Sequence, residues 1–177
     1  HTYMMGFEES FGYLIKPLVR DKDAIQALLL ICEVAAYYKS LGNTLYDRIQ
    51  DIYAEYGFYL ENTVSVTLEG IDGAAQIKAV MDKFRGNQPT AFNGIKVALT
   101  EDFLENTATA ANGSVETLTT PPSNVLKYHL EDGSWIAVRP SGTEPKIKFY
   151  LASVGETQAA SAAKLEAFDA EIKAFIK

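Results

Sequence analysis

The feature that most constrains the fold is the dipeptide Asp132-Gly133, which stands between two segments rich in strand-forming residues. Such a turn needs a backbone with positive φ, which glycine adopts without strain, and it therefore predicts a β-hairpin. The strands of this hairpin are expected at 125–131 and 134–139. Residues 62–68 alternate apolar and polar side chains, which predicts another strand with one buried face. An antiparallel sheet is therefore the centre of the predicted fold.

Two further strands and four helices are predicted around this sheet. The strands are 95–99 and 146–151, and the stretch 100–124, rich in Thr, Ala and Asn, is expected to be mostly loop. Apolar residues at helical spacing predict helices over about 23–42, 44–57, 74–84 and 157–175. From residue 62 the order is β-α-β-β-β-β-α with few crossovers. This order indicates an α+β domain with a mainly antiparallel sheet flanked by helices.

The first predicted helix, 23–42, is apolar around most of its circumference, and Asp21 or Asp23 can cap its N-terminus. A helix of this kind normally packs between other elements, which residues 1–22 are too few to supply. The chain also starts at His1 rather than Met. We therefore expect a piece of a longer polypeptide, whose remaining domains are its partners. The predicted division is a helical remnant of another domain (1–42), a connecting helix and linker (43–61) and a second domain (62–177).

Charge and composition exclude several classes of function. The net charge of -7 argues against a nucleic-acid interface, which needs clustered Lys and Arg. The longest apolar stretch, 24–38, is too short and too polar to span a membrane. A single cysteine, Cys32, excludes an internal disulfide, and we expect a cytoplasmic protein.

The segment Arg139–Lys146, called the 139–146 loop below, has the chemistry of an anion site. Arg139 offers a planar fork that fits a phosphate group, and Ser141 and Thr143 offer hydroxyl donors. Gly142 allows close approach of the backbone, so successive N–H groups of residues 141–143 can face an anion.

Two features flank this group of donors. Pro140 and Pro145 restrict the backbone, and either Lys146 or Lys148 adds a point charge. The residue types alone also allow a simple tight turn.

A second polar group stands near the start, in Gly6–Gly12. Glu8 and Glu9 are adjacent carboxylates beside Ser10, and carboxylates accept hydrogen bonds from neighbouring sugar hydroxyls. The same residue types are also common in solvated loops. Further on, Lys22 precedes the first helix, where it is either a functional group or part of a charged first turn.

Taken together, these segments resemble the α-D-phosphohexomutase superfamily, which includes phosphoglucomutases and phosphomannomutases. Arg-Pro-Ser-Gly-Thr-Glu-Pro-Lys followed by Ile-Lys-Phe-Tyr is similar to its C-terminal phosphate-binding loop, and Glu-Glu-Ser to its sugar-recognition loop. The resemblance implies that the 139–146 loop holds the phosphate that is not transferred. The implied phosphate-binding residues are Arg139, Ser141, Gly142, Thr143 and Lys146. The implied sugar-binding residues are Glu8, Glu9 and Ser10.

The resemblance also implies a fold and a reaction. The chain would be the C-terminal piece of the enzyme: residues 1–42 would be the helical remnant of an α/β domain, the sugar-binding third domain. Residues 62–177 would form a C-terminal domain like the TATA-box-binding protein. The intact enzyme would interconvert hexose 1-phosphate and hexose 6-phosphate through a phosphoserine, a hexose bisphosphate intermediate and Mg²⁺. Lys22 would be a substrate contact or general acid/base.

Two motifs of the family, Ser-His-Asn around the phosphoserine and the magnesium loop Asp-Gly-Asp-x-Asp, do not occur in these 177 residues. We therefore expect no metal ligands and no turnover from this chain alone. The sequence leaves open glucose, mannose or a pentose as the sugar. It also leaves open a non-catalytic module that binds phosphosugars or other anions, and an α+β interaction domain.

Overall fold

The computed structural model describes residues 2–8, 11–68, 72–142 and 144–176. The chain divides into two compact units, His1–Tyr56 and Gly57–Lys177. This division falls inside the range 43–61, which was predicted to connect two domains.

The first unit contains a short antiparallel ribbon and two helices. The ribbon pairs β1 (Gly6–Phe7) with β2 (Tyr13–Leu14), and the helices are α1 (Ala24–Ser40) and α2 (Leu45–Tyr56). Asp23, one of the two candidate caps, lies at the N-cap of α1. Its carboxylate accepts hydrogen bonds from the N–H groups of Ile25 and Gln26.

The apolar residues of α1 are largely exposed within this unit. Ile25 is 82% exposed, Leu28 64% and Leu29 63%, and no residue of α1 is buried. Among the described residues no single helix is long and apolar enough to cross a membrane, and only the pair α1 and α2, bent by 84°, has that length and composition together.

The second unit is an eight-stranded sheet with two helices. Its strands run in the order β3-β10-β9-β8-β5-β6-β7, with β4 paired to β5, and every pair is antiparallel. The helices are α3 (Gly73–Gly86) and α4 (Gln158–Ile176). The strands are β3 (Phe58–Thr67), β4 (Ala91–Phe92), β5 (Ile95–Asp102), β6 (Thr107–Ala110), β7 (Val115–Thr117), β8 (Leu126–Leu130), β9 (Trp135–Pro140) and β10 (Lys146–Gly155). The prediction of an α+β fold with a mainly antiparallel sheet is confirmed.

One face of this sheet forms the core with the helices. Ile147, Phe149 and Leu151 alternate along β10 and are fully buried, in one cluster with Phe84 of α3 and Phe168 of α4. The side chains between them on β10 lie on the opposite face of the sheet, because successive side chains of a strand alternate. This alternation decides which residues near the 139–146 loop remain accessible.

The predicted hairpin is present, and the predicted loop 100–124 is wrong in part. Leu130 donates its N–H to Ser134 and Gly133 has a φ of +86°, so the turn lies where the sequence indicated. In contrast, the segment 100–124 contains the end of β5 and the whole of β6 and β7. Strands β6 and β7 are short and carry mostly small or polar residues. They are the last two strands at one edge of the sheet.

Candidate functional site

The 139–146 loop is a closed turn between the neighbouring strands β9 and β10. The Ser141 N–H donates to the Lys146 carbonyl at 2.8 Å, and the Lys146 N–H donates to the Glu144 carbonyl at 2.7 Å. The Glu144 N–H donates to Ser141 Oγ at 3.3 Å. Of the N–H groups at 141–143 expected to face an anion, that of Ser141 is therefore used inside the turn.

The predicted anion-binding residues differ in how accessible they are. Arg139 is exposed, and a Cβ on Gly142 would meet no described residue other than its chain neighbours within 4 Å, so both can be approached from outside. The Lys146 ammonium lies 3.2 Å from both carboxylate oxygens of Glu144. Thr143 lies outside the described residues.

An open cleft of about 600 Å³ lies beside the loop, on the side of helix α3. Ser141 and Gly142 contribute to its lining from the loop, and Lys78 and Arg85 from α3. The α3 residues could not be assigned to this cleft from the sequence, because nothing in the spacing of α3 indicates which loop its exposed face lies beside.

Arg85 is held at this cleft by a network of charge-assisted hydrogen bonds. Its Nε donates to Asp102 Oδ2 at 2.8 Å, and its Nη2 donates to Asp102 Oδ1 at 3.2 Å and to Asn124 Oδ1 at 2.8 Å. Burial alone would raise the pKa of Asp102. The hydrogen bonds from Arg85 and from two backbone N–H groups outweigh it, and the pKa lies below its ordinary value. The network therefore stabilises a buried carboxylate in its charged form.

The N-terminus of α3 is also tied to the loop. The Leu68 N–H donates to the Pro145 carbonyl at 2.9 Å, and a Cβ placed on Gly73 would lie 3.5 Å from the Cβ of Pro145. The same Cβ would lie only 2.0 Å from the Leu68 carbonyl oxygen. Glycine is therefore required where α3 approaches the end of β3.

The predicted sugar-binding residues belong to the first unit. Glu8 follows β1, its N–H donates to the Gly12 carbonyl at 3.0 Å, and its carboxylate lies 3.6 Å from the Lys22 ammonium. Glu9 and Ser10 lie outside the described residues. The structure thus brings Glu8 and Lys22 together, at a pocket of about 210 Å³ that Arg20 also lines.

The charges around Lys22 keep it protonated. Asp21 lies 3.1 Å from its ammonium, and the hydrogen bond and charge of Asp21, followed by the charge of Glu8, raise the pKa of Lys22. A lysine with a raised pKa can donate hydrogen bonds to a substrate at neutral pH, and it is a poor general base.

Gly12 makes the contact between Glu8 and Lys22 possible. A Cβ on Gly12 would lie 2.4 Å from Lys22 Cγ and 2.7 Å from Glu8 Oε1. Contacts of this length require the two side chains to move. The close packing of the Glu8 and Lys22 side chains therefore explains why position 12 is a glycine.

We expect Gly12→Ala to separate Lys22 from Glu8 and to destabilise the first unit by about 1 kcal/mol, the lower end for overpacked sites. The side-chain ¹⁵N shift and the pKa of Lys22, measured by NMR, should both change. Gly6→Ala is the matched control, because its Cβ would meet only the hydroxyl end of Tyr3, at 3.1 Å. Unchanged Lys22 signals in Gly12→Ala would contradict this account.

The described residues hold no group of three or more His, Cys, Asp or Glu side chains that could bind a metal ion. They therefore do not fit a magnesium site.

Comparison with known proteins identifies the family. Residues 72–174 match the model of the phosphoglucomutase/phosphomannomutase C-terminal domain, and residues 1–56 match that of alpha/beta/alpha domain III of the same family. The chain belongs to the phosphoglucomutase/phosphomannomutase family, and the predicted resemblance is confirmed.

Relatives include full-length bacterial enzymes. The chain is 43% identical over 151 residues to a phosphoglucomutase of Staphylococcus epidermidis, which covers 85% of this chain and 28% of that protein. It is 42% identical over 149 residues to a phosphoglucomutase of Staphylococcus aureus, covering 84% and 27%. The chain thus spans under a third of the length of the curated relatives it matches.

A solved structure shares the fold. Parafusin, a phosphoglucomutase from Paramecium crystallised in an open form, aligns with 98% of this chain and 29% of its own. The TM-score is 0.63 and the sequence identity is 19%, a level that supports the fold alone.

Proposed function

We propose that this chain is the substrate-binding C-terminal part of a phosphohexomutase that interconverts hexose 1-phosphate and hexose 6-phosphate. The observation that carries the proposal is the exposed Arg139 at the end of β9, beside a closed turn where Gly142 leaves open space. An arginine fork next to an accessible backbone is suited to a phosphate group.

The proposed phosphate site divides its tasks among the loop residues. Arg139 binds the phosphate oxygens, the backbone approaches at Gly142, and Ser141 and Thr143 add hydroxyl groups. Lys146 contributes by neutralising Glu144, because their charged groups lie 3.2 Å apart. Without that ion pair the Glu144 carboxylate would repel the ligand.

The proposed sugar site lies in the first unit. Glu8, with Glu9 and Ser10, accepts hydrogen bonds from sugar hydroxyls, and Lys22 donates from its ammonium group. The support for this assignment is the position of Glu8 and Lys22 on one pocket, with Lys22 kept charged by Asp21.

In the proposed reaction, a phosphoserine elsewhere in the intact enzyme gives its phosphoryl group to the free sugar hydroxyl. A new sugar O–P bond forms, the Ser O–P bond breaks, and the hydroxyl proton ends on the serine oxygen. The resulting hexose bisphosphate reorients and returns its other phosphoryl group. Mg²⁺, held by residues outside this chain, would supply charge neutralisation at the transferred group. The residues of this chain hold the other phosphate and the sugar in place during each transfer, and we propose that the chain alone does not turn over.

Because the bisphosphate binds in two orientations, the 139–146 loop must accept a phosphate at either carbon. A rigid loop that contacts the phosphate and not the sugar meets this requirement. Pro140 and Pro145 restrict the backbone at both ends of the loop. For the intact enzyme we further propose a cytoplasmic setting. The support is Cys32, the single cysteine of the chain.

The test is an NMR titration of the 177-residue chain with glucose 1-phosphate and, separately, mannose 1-phosphate. Amide shifts should cluster at residues 139–146, and Arg139→Met should weaken binding about tenfold, because it removes charge-assisted hydrogen bonds. Arg48→Met is the matched control, since Arg48 lies on α2, beside Tyr38 and Asp51.

Three results would overturn the proposal: no shifts in the loop, equal affinities for Arg139→Met and Arg48→Met, or shifts confined to residues outside both proposed sites. The ratio of affinities for the two sugar phosphates reports how far this part of the enzyme selects glucose or mannose.

A further inference from the structure

The dipeptide Asn-Gly occurs twice in the second unit, and one occurrence, Asn93-Gly94, forms the turn between β4 and β5. Phe92 before this turn is the register partner of Ile95 after it, so the hairpin closes with two residues. Asn93 has a φ of +48° and Gly94 a φ of +74°, as such a hairpin turn requires. Both residues are exposed. The Asn93 side chain and the Gly94 backbone are therefore adjacent groups in contact with solvent.

An Asn-Gly pair can react with itself, because glycine has no Cβ to shield its backbone nitrogen. The Gly94 nitrogen attacks Cγ of Asn93, so that a new N–Cγ bond forms and the Cγ–Nδ2 bond breaks. The side-chain amide leaves as ammonia and takes the proton of the Gly94 N–H. Water then opens the resulting succinimide ring at one of its two carbonyl carbons. The product is aspartate, or isoaspartate, in which the main chain runs through Cγ and is one carbon longer.

Neither reacting group at Asn93-Gly94 is restrained. Among the described residues, no hydrogen bond involves the side chain of Asn93 or the N–H of Gly94. The backbone N–H of Asn93 does donate, to Oε2 of Glu171 on α4 at 2.6 Å. This bond involves neither the attacking nitrogen nor the amide that is lost, so it leaves the reaction free to proceed.

The other pair, Asn112-Gly113 between β6 and β7, has the same residue types but is restrained at both groups. The Gly113 N–H, which carries the attacking nitrogen, donates to the Ala110 carbonyl at 2.8 Å. Oδ1 of Asn112 accepts a hydrogen bond from the Ser114 N–H at 2.9 Å. Both bonds must break before the ring can close, which adds to the barrier at this pair.

We propose that Asn93 is a site of spontaneous deamidation and that Asn112 is protected from the same reaction. The modification falls where the turn is attached to α4. The new carboxylate belongs to the residue whose N–H is bonded to the Glu171 carboxylate, and two negative charges this close repel each other. The longer main chain of isoaspartate, in addition, does not fit a two-residue hairpin turn.

The change would reach the core through Phe92, the residue before the turn. Phe92 is only 2% exposed, and its ring centroid lies 5.5 Å from that of Tyr128. Because β4 has only two residues, loosening its turn affects a large part of its pairing. Deamidation should therefore limit the lifetime of the folded second unit. This inference is independent of the proposed function, and its failure would leave that proposal unchanged.

The test is incubation of the 177-residue chain at mildly alkaline pH, followed by peptide mass mapping, with isoaspartate detected by enzymatic methylation. Asn93 should convert about tenfold faster than Asn112, because two hydrogen bonds must first break at Asn112. In urea that unfolds the chain, the two residues should react at similar rates, since the dipeptide is the same. Equal rates in the folded chain, or a faster reaction at Asn112, would overturn the inference.

A second measurement tests the effect on stability. Asn93→Asp, which introduces the charge alone, should lower the Tm of the second unit by about 2 °C. Asn112→Asp is the matched control and should leave the Tm unchanged, because it adds the same charge to a turn whose hydrogen bond aspartate can also accept. Adding Glu171→Gln to Asn93→Asp should restore the Tm, since glutamine still accepts the N–H of residue 93 but carries no charge. Equal Tm values for Asn93→Asp and Asn112→Asp would contradict the role given to Glu171.

Discussion

Replacing Arg85 by methionine is expected to lower the free energy of unfolding of the second unit by about 2–3 kcal/mol. The Asp102 side chain is only 9% exposed and receives two hydrogen bonds from Arg85. Removing one member of a largely buried ion pair leaves the other charge without compensation, which typically costs about 3–5 kcal/mol when burial is complete. Urea unfolding followed by the fluorescence of Trp135, the single tryptophan, measures this unit.

The pH dependence should weaken in the variant. With Arg85 present, the pKa of Asp102 lies below its ordinary value of 3.8, so its contribution is present above that value and is lost as the pH falls through the lower, folded-state pKa. Without Arg85, the hydrogen bonds from two backbone N–H groups still oppose burial, and the pKa of Asp102 should lie higher than with Arg85 present. The variant should therefore lose less stability in acid.

Two comparisons sharpen this prediction. Lys96→Met removes an exposed charge from the same unit and should change the free energy of unfolding by less than about 0.5 kcal/mol. The double variant Arg85→Met/Asp102→Leu should recover part of the loss, because it removes the buried charge as well. A single variant as stable as Lys96→Met would show that the network contributes nothing.

Replacing Gly73 by alanine is expected to destabilise the second unit by about 2–3 kcal/mol, at the upper end for overpacked sites. Its Cβ would lie 2.0 Å from the backbone carbonyl oxygen of Leu68, which cannot rotate away as a side chain does. The start of α3 must therefore move away from the end of β3. Because Leu68 donates its N–H to Pro145, the same movement should also weaken phosphate binding at the 139–146 loop.

The other end of α3 supplies the control. A Cβ on Gly86 would have no other atom within 4 Å, and Gly86 does not have a positive φ. Gly86→Ala should therefore leave stability unchanged or raise it by up to about 1 kcal/mol, since alanine favours the helix. Equal urea midpoints for Gly73→Ala and Gly86→Ala would contradict the packing argument.

Much of the fold could be predicted because local chemistry determines it. Asp23 caps α1, and Thr44 and Asp47 exchange hydrogen bonds at the start of α2, as a capping box does. Gly133 has the positive φ that the Asp-Gly turn required. In each case the residues that determine the element are neighbours in the sequence.

Features determined by distant residues were not predictable in this way. Strands β6 and β7 have little alternation of their own; β6 pairs with the edge of β5, and β7 in turn pairs with β6. The network of Arg85, Asp102 and Asn124 joins three segments whose proximity no local pattern indicates.

The candidate sites could likewise be predicted from the sequence only in part. The residue types of the 139–146 loop predicted an anion site, and its position between β9 and β10 agrees with the strands expected on either side. The sequence leaves open whether Lys146 or Lys148 adds a charge to the loop. The structure pairs Lys146 with Glu144 and places Lys148 at the position opposite Arg139.

The pairing of β3 with β10 has a consequence for how the molecule acquires its ligand site. Phe58, at the start of β3, is the register partner of Gly155, at the end of β10, so this ladder joins nearly opposite ends of the second unit's sequence. Closing such a long stretch of chain is entropically costly, and topologies rich in these contacts fold slowly. During synthesis β3 has no strand partner until β10 has been made, because β10 is its one neighbour in the described sheet. The segment that carries the proposed phosphate-binding residues is therefore joined to β3 only late in synthesis, and a chain that has stalled before β10 lacks this part of the sheet.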